Sequence, residues 1–337
     1  MKKYLTSFVV VLLSITVVFL ANCGGKKGKK IQERTLRLGH VLSIDHPVHK
    51  AMQRWSKLLE KETDGQINIK IYPGGQLGGE KEMVENLQMG TLDITKISSA
   101  ALASFVPEMK VFTTPYLFRS NQHKWKVLKG EAGQQILNEC KGKELIGLGY
   151  YEAGARSFYT KNTPIRKPSD VKNMKIRVMK SPLSIELLKT LDASPTPISW
   201  GELYTALQQG TVEGAENNPP SFVSARHYEV CQYYSLDKHS QPVDVVLFNK
   251  KLWSNLSDKE KEVIKDTFWK SVEYQRKLWK EEVKRNFATL DSVGVEVIRP
   301  DLEPFREAVQ PIYDKYKNDE VIGSYIKKIK AVKTEEK

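Results

Sequence analysis

LRLGHVLSIDHPVHKAMQRWSKLLEKETDGQINIKIYPGGQLGGEKEMVENLQMGTLDITKI, residues Leu36–Ile97, decides the fold. Leu36–Val41 has the pattern of an apolar strand. His49 to Glu62 then places Met52, Trp55, Leu58 and Leu59 at helical spacing. Asp64-Gly65 turns the chain into Gln66–Tyr72, where Ile67, Ile69 and Ile71 share one side. Pro73-Gly74-Gly75 ends that strand, a second helix covers about Glu80–Met89, and Gly90 is placed as its terminating glycine. Leu92–Ile97 is the next strand. Strand, helix, strand, helix, strand predicts an α/β fold whose parallel sheet carries helices on its faces.

The same grammar continues with other lengths. Leu145–Tyr151, the KIRVM segment at Lys175–Met179, Thr211–Glu216 and DVVLF at Asp244–Phe248 are strands. Helices are predicted over about Pro182–Leu191 and Gly201–Gln209. The longest helix starts at Ser257, where Ser257 and Glu260 match a capping box, and runs toward Leu290. At 1.5 Å per residue it spans roughly 50 Å, enough to brace two lobes. Val295–Ile298 is a last strand, Phe305 to Ile326 is helical, and the lysine-rich end is expected to fray.

The N-terminal residues have the features of an export signal. Lys2 and Lys3 precede an apolar run from Phe8 to Leu20, too short for a comfortable membrane span. Cys23 follows it as in a bacterial lipobox, although Asn22 replaces the usual small residue, and GGKKGKK at Gly24–Lys30 has the composition of a flexible tether. The expectation is a signal peptide over residues 1–22, lipidation at Cys23, a tether over 23–34, and a periplasmic, membrane-anchored protein. About 315 residues remain, enough for two lobes. Of the formal charge of +13, six lysines lie in the signal and tether, leaving about +7. That surplus suits an anionic membrane surface or steering of anionic ligands. No nucleic-acid motif is present. Nor is there a Walker loop, G-x-S-x-G or H-E-x-x-H, and GGQLGG at Gly74–Gly79 lacks the spacing of a dinucleotide fingerprint. No enzyme activity and no cofactor are expected. Cys140 and Cys231 remain to pair or to stay as buried thiols.

Arg177 is the informative charge. It lies inside an apolar strand, and a buried guanidinium is costly unless an anion meets it. That anion is either a bound solute or a nearby acid such as Glu216. In order and spacing, PGGQLGGEKEMVENLQMGTLDIT (Pro73–Thr95), VFTTPYLF (Val111–Phe118), GARSFYT (Gly154–Thr160), SDVKNMKIRVM (Ser169–Met179) and SWGELYTALQQGTVEGAEN (Ser199–Asn217) resemble the solute-binding subunits of tripartite ATP-independent periplasmic (TRAP) transporters, the DctP family.

The resemblance covers about Leu36 to Tyr325. It implies a two-lobed periplasmic-binding-protein-like fold, joined by crossing strands and a long bracing helix. Lobe I is expected over 35–153 plus 243–282, and lobe II over 154–242 plus 283–330. It also implies a small organic acid clamped between the lobes, and a membrane permease as partner. Arg177 falls at the family's carboxylate anchor and Arg156 at a second arginine. Trp200 falls at a cleft aromatic and Asn217 at a solute-contacting asparagine. Met174 departs from the usual glycine before the strand. Where sialic-acid-specific members carry a glutamate and an arginine, this chain has Ser98 and Ala101. That argues against sialic acid and for a smaller or more apolar carboxylate. A sensing or scavenging lipoprotein of the same fold is the alternative role.

The residue types suit the task. Guanidinium is a planar fork that can hold both carboxylate oxygens. Trp200 can stack on a solute or an arginine, or belong to a core. Asn217 can both donate and accept, or simply shape the turn before Pro219-Pro220. Glu216 is expected to hold an arginine. Tyr150 and Tyr151 sit beside the crossover and are candidate cleft residues, as is His239. His40, His46 and His49 are candidate metal ligands by residue type, but H-x5-H-x2-H is looser than recurring zinc spacings, so no metal is expected.

Overall fold

The computed structural model describes residues 31–334. The expected signal segment, Cys23 and most of the tether lie outside the described residues. The fold begins before residue 35, because the Gln32 N–H and the Arg34 guanidinium both donate to Glu260.

Eleven strands form two sheets: β1 (Arg34–Gly39), β2 (Ile67–Tyr72), β3 (Ile94–Ser98), β4 (Leu145–Tyr151), β5 (Arg156–Thr160), β6 (Lys175–Val178), β7 (Ser194–Pro197), β8 (Gly214–Asn217), β9 (Tyr233–Ser240), β10 (Asp244–Asn249) and β11 (Glu296–Ile298). The first sheet has the order β2-β1-β3-β10-β4, the second β11-β9-β5-β8-β6-β7. In the first, β1 pairs in parallel with β2 and β3, as the strand–helix–strand opening predicts, and β10 runs antiparallel between β3 and β4. In the second, β6 is parallel to β7 and β8, while β5 is antiparallel to β8 and β9.

The chain passes between the sheets at 152–155, from β4 to β5, and at 241–243, from β9 to β10. The first passage is clamped. Gln275, from the long helix Asp258–Ser292, accepts the Glu152 N–H and donates to its carbonyl. The buried Glu152 carboxylate receives Lys124, Trp125, Asn121 and the Gly154 N–H. Gly154 has φ +63°, and a Cβ there would lie 2.9 Å from the Trp279 ring. Both the backbone conformation and the close approach of the helix therefore require glycine.

The long helix starts at its predicted cap, with both halves of the Ser257–Glu260 box formed. Trp55 packs edge-on against Phe268 of this helix, beneath the first sheet. Leu290, near its other end, joins the core formed by Tyr159, Leu207, Phe222 and Tyr234 against the second sheet. One helix thus contributes to the packing of both lobes. Among the described residues no helix is long and apolar enough to cross a membrane.

Two expectations for the C-terminal region need correction. Phe305 to Ile326 is three helices, Glu303–Ala308, Gln310–Tyr316 and Ile322–Ala331. The last of them is tied to the segment 119–123, where Arg119 and His123 bond the carbonyls of Ile329, Lys330 and Val332. Nor does the lysine-rich end fray within it, because Ile326 and Ile329 are buried. Cys140 and Cys231 are free, buried, and in separate cores, so they do not pair.

Candidate functional site

Strand alternation sets the position of Arg177. Ile176 and Val178 enter the core, which turns Arg177 onto the other face of β6. The side chain is only 3 % exposed. Its Nε–H donates to the Ile198 carbonyl at 2.9 Å, and Cζ lies 5.8 Å from the centre of the Trp200 ring. Among the described residues no carboxylate pairs with it. Burial, together with the neighbouring Arg156, pulls its pKa below the ordinary arginine value. Guanidinium nevertheless remains a cation in proteins. The terminal nitrogens therefore border the cavity as donors without an acid to meet.

Glu216, the alternative anion for Arg177, pairs with Arg156 instead. The Arg156 Nε–H and one Nη2–H donate to the Glu216 carboxylate. Nη2 also reaches the Glu216 carbonyl at 2.6 Å, and Nη1 reaches Asn217 Oδ1 at 2.7 Å. Of its five N–H groups, one is left for a solute. The row of charges extends further. His239 Nε2 is 3.5 Å from Glu216, and its Nδ1 is 2.7 Å from Asp237. Burial alone would lower His239, but Asp237 and Glu216 outweigh it and raise the imidazole to about 9. Burial would raise Glu216, but Arg156 and His239 hold it down at about 2. Glu216 thus holds an arginine, as expected. His239 lies behind the cavity wall, supporting it.

The charged residues of the facing wall come from β3, β10 and the helix Glu80–Met89, and the sequence reading did not single them out. Lys96, in β3, is buried and donates to Glu80 at 3.2 Å and to Asp244 at 3.1 Å. Glu80 opens the helix Glu80–Met89 and also accepts the Ser98 N–H at 3.0 Å; Asp244 begins β10. Burial and Glu80 raise the Asp244 carboxyl while Lys96 opposes them. A lysine inside the apolar strand ITKIS is the same signal as an arginine inside KIRV, and could have been found by the same rule.

Between the walls lies a cavity with about 490 Å³ of space between atoms, bordered by Arg177, Arg156, Asn217 and Trp200 on one side and Glu80, Lys96, Ser98 and Asp244 on the other. Four predicted residues, two pairs far apart in the chain, thus meet in one place. Ser98 borders the cavity, and Ala101 lines an adjoining pocket that shares Glu80, Arg177 and Trp200 with it. Of the smaller or more apolar carboxylate expected, the three charged side chains on the facing wall do not suit the more apolar kind. The lobes touch beside it, where His46 Nε2 is 3.3 Å from Ser221 Oγ. His46 Nδ1 accepts the Val48 N–H, so Nε2 carries the proton and donates. His40 and His49 bond each other at 3.0 Å.

Tyr151 is not at the cavity, and neither is Tyr150. Tyr151 is fully buried, with its hydroxyl 2.7 Å from Ser271 of the long helix and its ring against Phe268. Tyr150 donates to the Gly133 carbonyl. Both lie on β4 facing core, so proximity to the crossover in sequence did not translate into a place at the cleft.

Residues 38–319 match the family model described as bacterial extracellular solute-binding protein, family 7, DctP. The chain belongs to this family, the solute-binding subunits of TRAP transporters. It is therefore a periplasmic solute-binding protein and not an enzyme. YiiZ, an uncharacterized protein of Salmonella typhimurium, is 37% identical over 303 residues, 89% of this chain and 92% of that protein. A TRAP periplasmic solute-binding protein of Xanthobacter autotrophicus Py2, solved with bound beta-D-galacturonate, is 40% identical with a TM-score of 0.85, covering 88% of this chain and 100% of that one. Another, from Polaromonas sp. JS666 and bound to D-erythronate, is 34% identical with a TM-score of 0.87, covering 90% and 100%.

Proposed function

We propose that this protein captures a small sugar acid between its two lobes and delivers it to a TRAP-type membrane permease. One observation carries the reading: Arg177 is a buried cation with free donors and no acid partner among the described residues, at the wall of a cavity between two lobes. An uncompensated buried charge costs several kcal/mol, and a solute carboxylate supplies what is missing. Asn217, Trp200 and the remaining N–H of Arg156 are its companions. Glu216 is the support that orients Arg156. The galacturonate and erythronate of the two solved relatives support a hydroxylated acid.

In this reading lobe I comprises 35–153 and 243–282 with the last helix, and lobe II comprises 154–242 and 283 to about 320. The solute binds lobe II and is then enclosed by lobe I, which requires tighter binding to the closed than to the open form. A lipid on Cys23 holds the protein at the membrane near its permease; radiolabelled palmitate incorporation that persists in a Cys23→Ala variant would remove that element. Calorimetry of the purified protein with D-galacturonate, D-glucuronate and D-erythronate tests the main reading. At least one acid binds at micromolar concentration or below, whereas failure of all three overturns it.

A further inference from the structure

The two walls of the cavity differ in what they leave unbonded. On the second sheet the open valences are donors: the terminal nitrogens of Arg177, one N–H of Arg156, and the Asn217 amide, whose Oδ1 is already engaged by Arg156. On the first sheet they are mainly acceptors. Glu80 Oε1 is used twice, by Lys96 and by the Ser98 N–H, and Oε2 has no partner among the described residues. Asp244 Oδ1 is used by Lys96, and Oδ2 has none. Lys96 spends two of its three N–H groups on these carboxylates, so the group is one cation against two anions.

We infer that Glu80, Lys96 and Asp244 form a hydroxyl-reading wall that selects polyhydroxy monocarboxylates and rejects dicarboxylates. The inference rests on the proposed sugar-acid site and adds the feature that specifies the far end of the solute. A hydroxyl placed there donates to a free oxygen of Glu80 or Asp244 and accepts the last N–H of Lys96, satisfying both partners. A second carboxylate has no proton to donate. It would leave those oxygens unmatched and face two like charges across a buried space, with Lys96 already neutralised. Rejection of this kind is stronger than the loss of one attractive contact, because it leaves buried polar groups unpaired.

The test uses a pair of acids that differ only at the far end. D-galactonate ends in a hydroxymethyl group, and galactarate replaces it with a second carboxylate. Each is measured by calorimetry and by competition against D-galacturonate, on the wild-type protein and on Glu80→Gln and Asp244→Asn. The expected result is galactarate binding at least about tenfold more weakly than galactonate to the wild type. In each variant the galactonate affinity falls by about tenfold or more and the gap between the two acids narrows. Galactarate or succinate matching the monoacids on the wild type overturns the inference without any variant having to fold. Unchanged affinities in both folded variants, with D-galacturonate still bound, overturn the wall alone and leave the sugar-acid reading standing. A wild type that binds none of these acids overturns both.

Discussion

Stability should depend on pH in a way set by one histidine working against five. His239 is raised to about 9, whereas the other five are lowered, His40 and His227 to about 3. For His239 the folded value lies above the unfolded one of about 6.5, so its contribution is complete below pH 6.5 and is lost as pH rises through 9. The difference of two to three pK units corresponds to about 3 kcal/mol. For the lowered histidines the sign reverses. Below pH 6.5 the unfolded chain takes up protons that the folded chain refuses, so stability falls as pH drops toward 3. The ligand-free protein should therefore be most stable near pH 6.5–7. Melting curves from pH 5 to 9.5 measure this, with a decline of roughly 6–10 °C on the alkaline side attributable to His239. A His239→Asn variant should be less stable than wild type at pH 6.5 and approach it at pH 9.5, where the wild-type imidazole has lost its charge. A gap that stays constant between those two pH values would refute the reasoning.

Three further predictions concern the frame. Lys124→Met leaves the buried Glu152 carboxylate without its cation at the inter-lobe passage and should cost about 3–5 kcal/mol, measured by denaturant unfolding. Tyr151→Phe removes the 2.7 Å bond to Ser271 and should cost about 1 kcal/mol in the same assay while leaving calorimetric solute affinity unchanged. Ser257→Ala breaks the capping box of the long helix and should cost about 1 kcal/mol, visible as a lower melting temperature.

Local patterns made much of the architecture legible. Glu80–Met89 and Leu145–Tyr151 form with the predicted bounds, because Gly90 adopts φ +79° and Tyr151 is followed directly by the clamped passage. The strands that were missed depend on distant partners. β7, SPTP at Ser194–Pro197, carries two prolines and sits at a sheet edge, where a missing N–H costs little. β9 contains Asp237, Lys238 and His239, and its charged residues obscured an apolar pattern; Asp237 and His239 are satisfied by each other and by Glu216 and the Phe158 N–H. The same limit applied at the cavity. Arg177 was visible as a charge in an apolar strand, and the resemblance gathered Arg156, Trp200 and Asn217 around it. The pairing of Arg156 with Glu216 and the grouping of Glu80, Lys96 and Asp244 join residues up to 164 positions apart, which no local pattern contains.

The central claim is that Arg177 is held unpaired so that a solute carboxylate can complete it. The most direct test is Arg177→Met, followed by calorimetry with D-galacturonate, or with whichever sugar acid binds the wild type, and by a melting curve without ligand. Removing a buried charge that lacks an acid partner should leave the ligand-free protein at least as stable as wild type. Solute affinity should fall by about 2–5 kcal/mol, a factor of roughly 30 to several thousand. A variant that melts normally and binds the acid within about threefold of wild type would contradict the account.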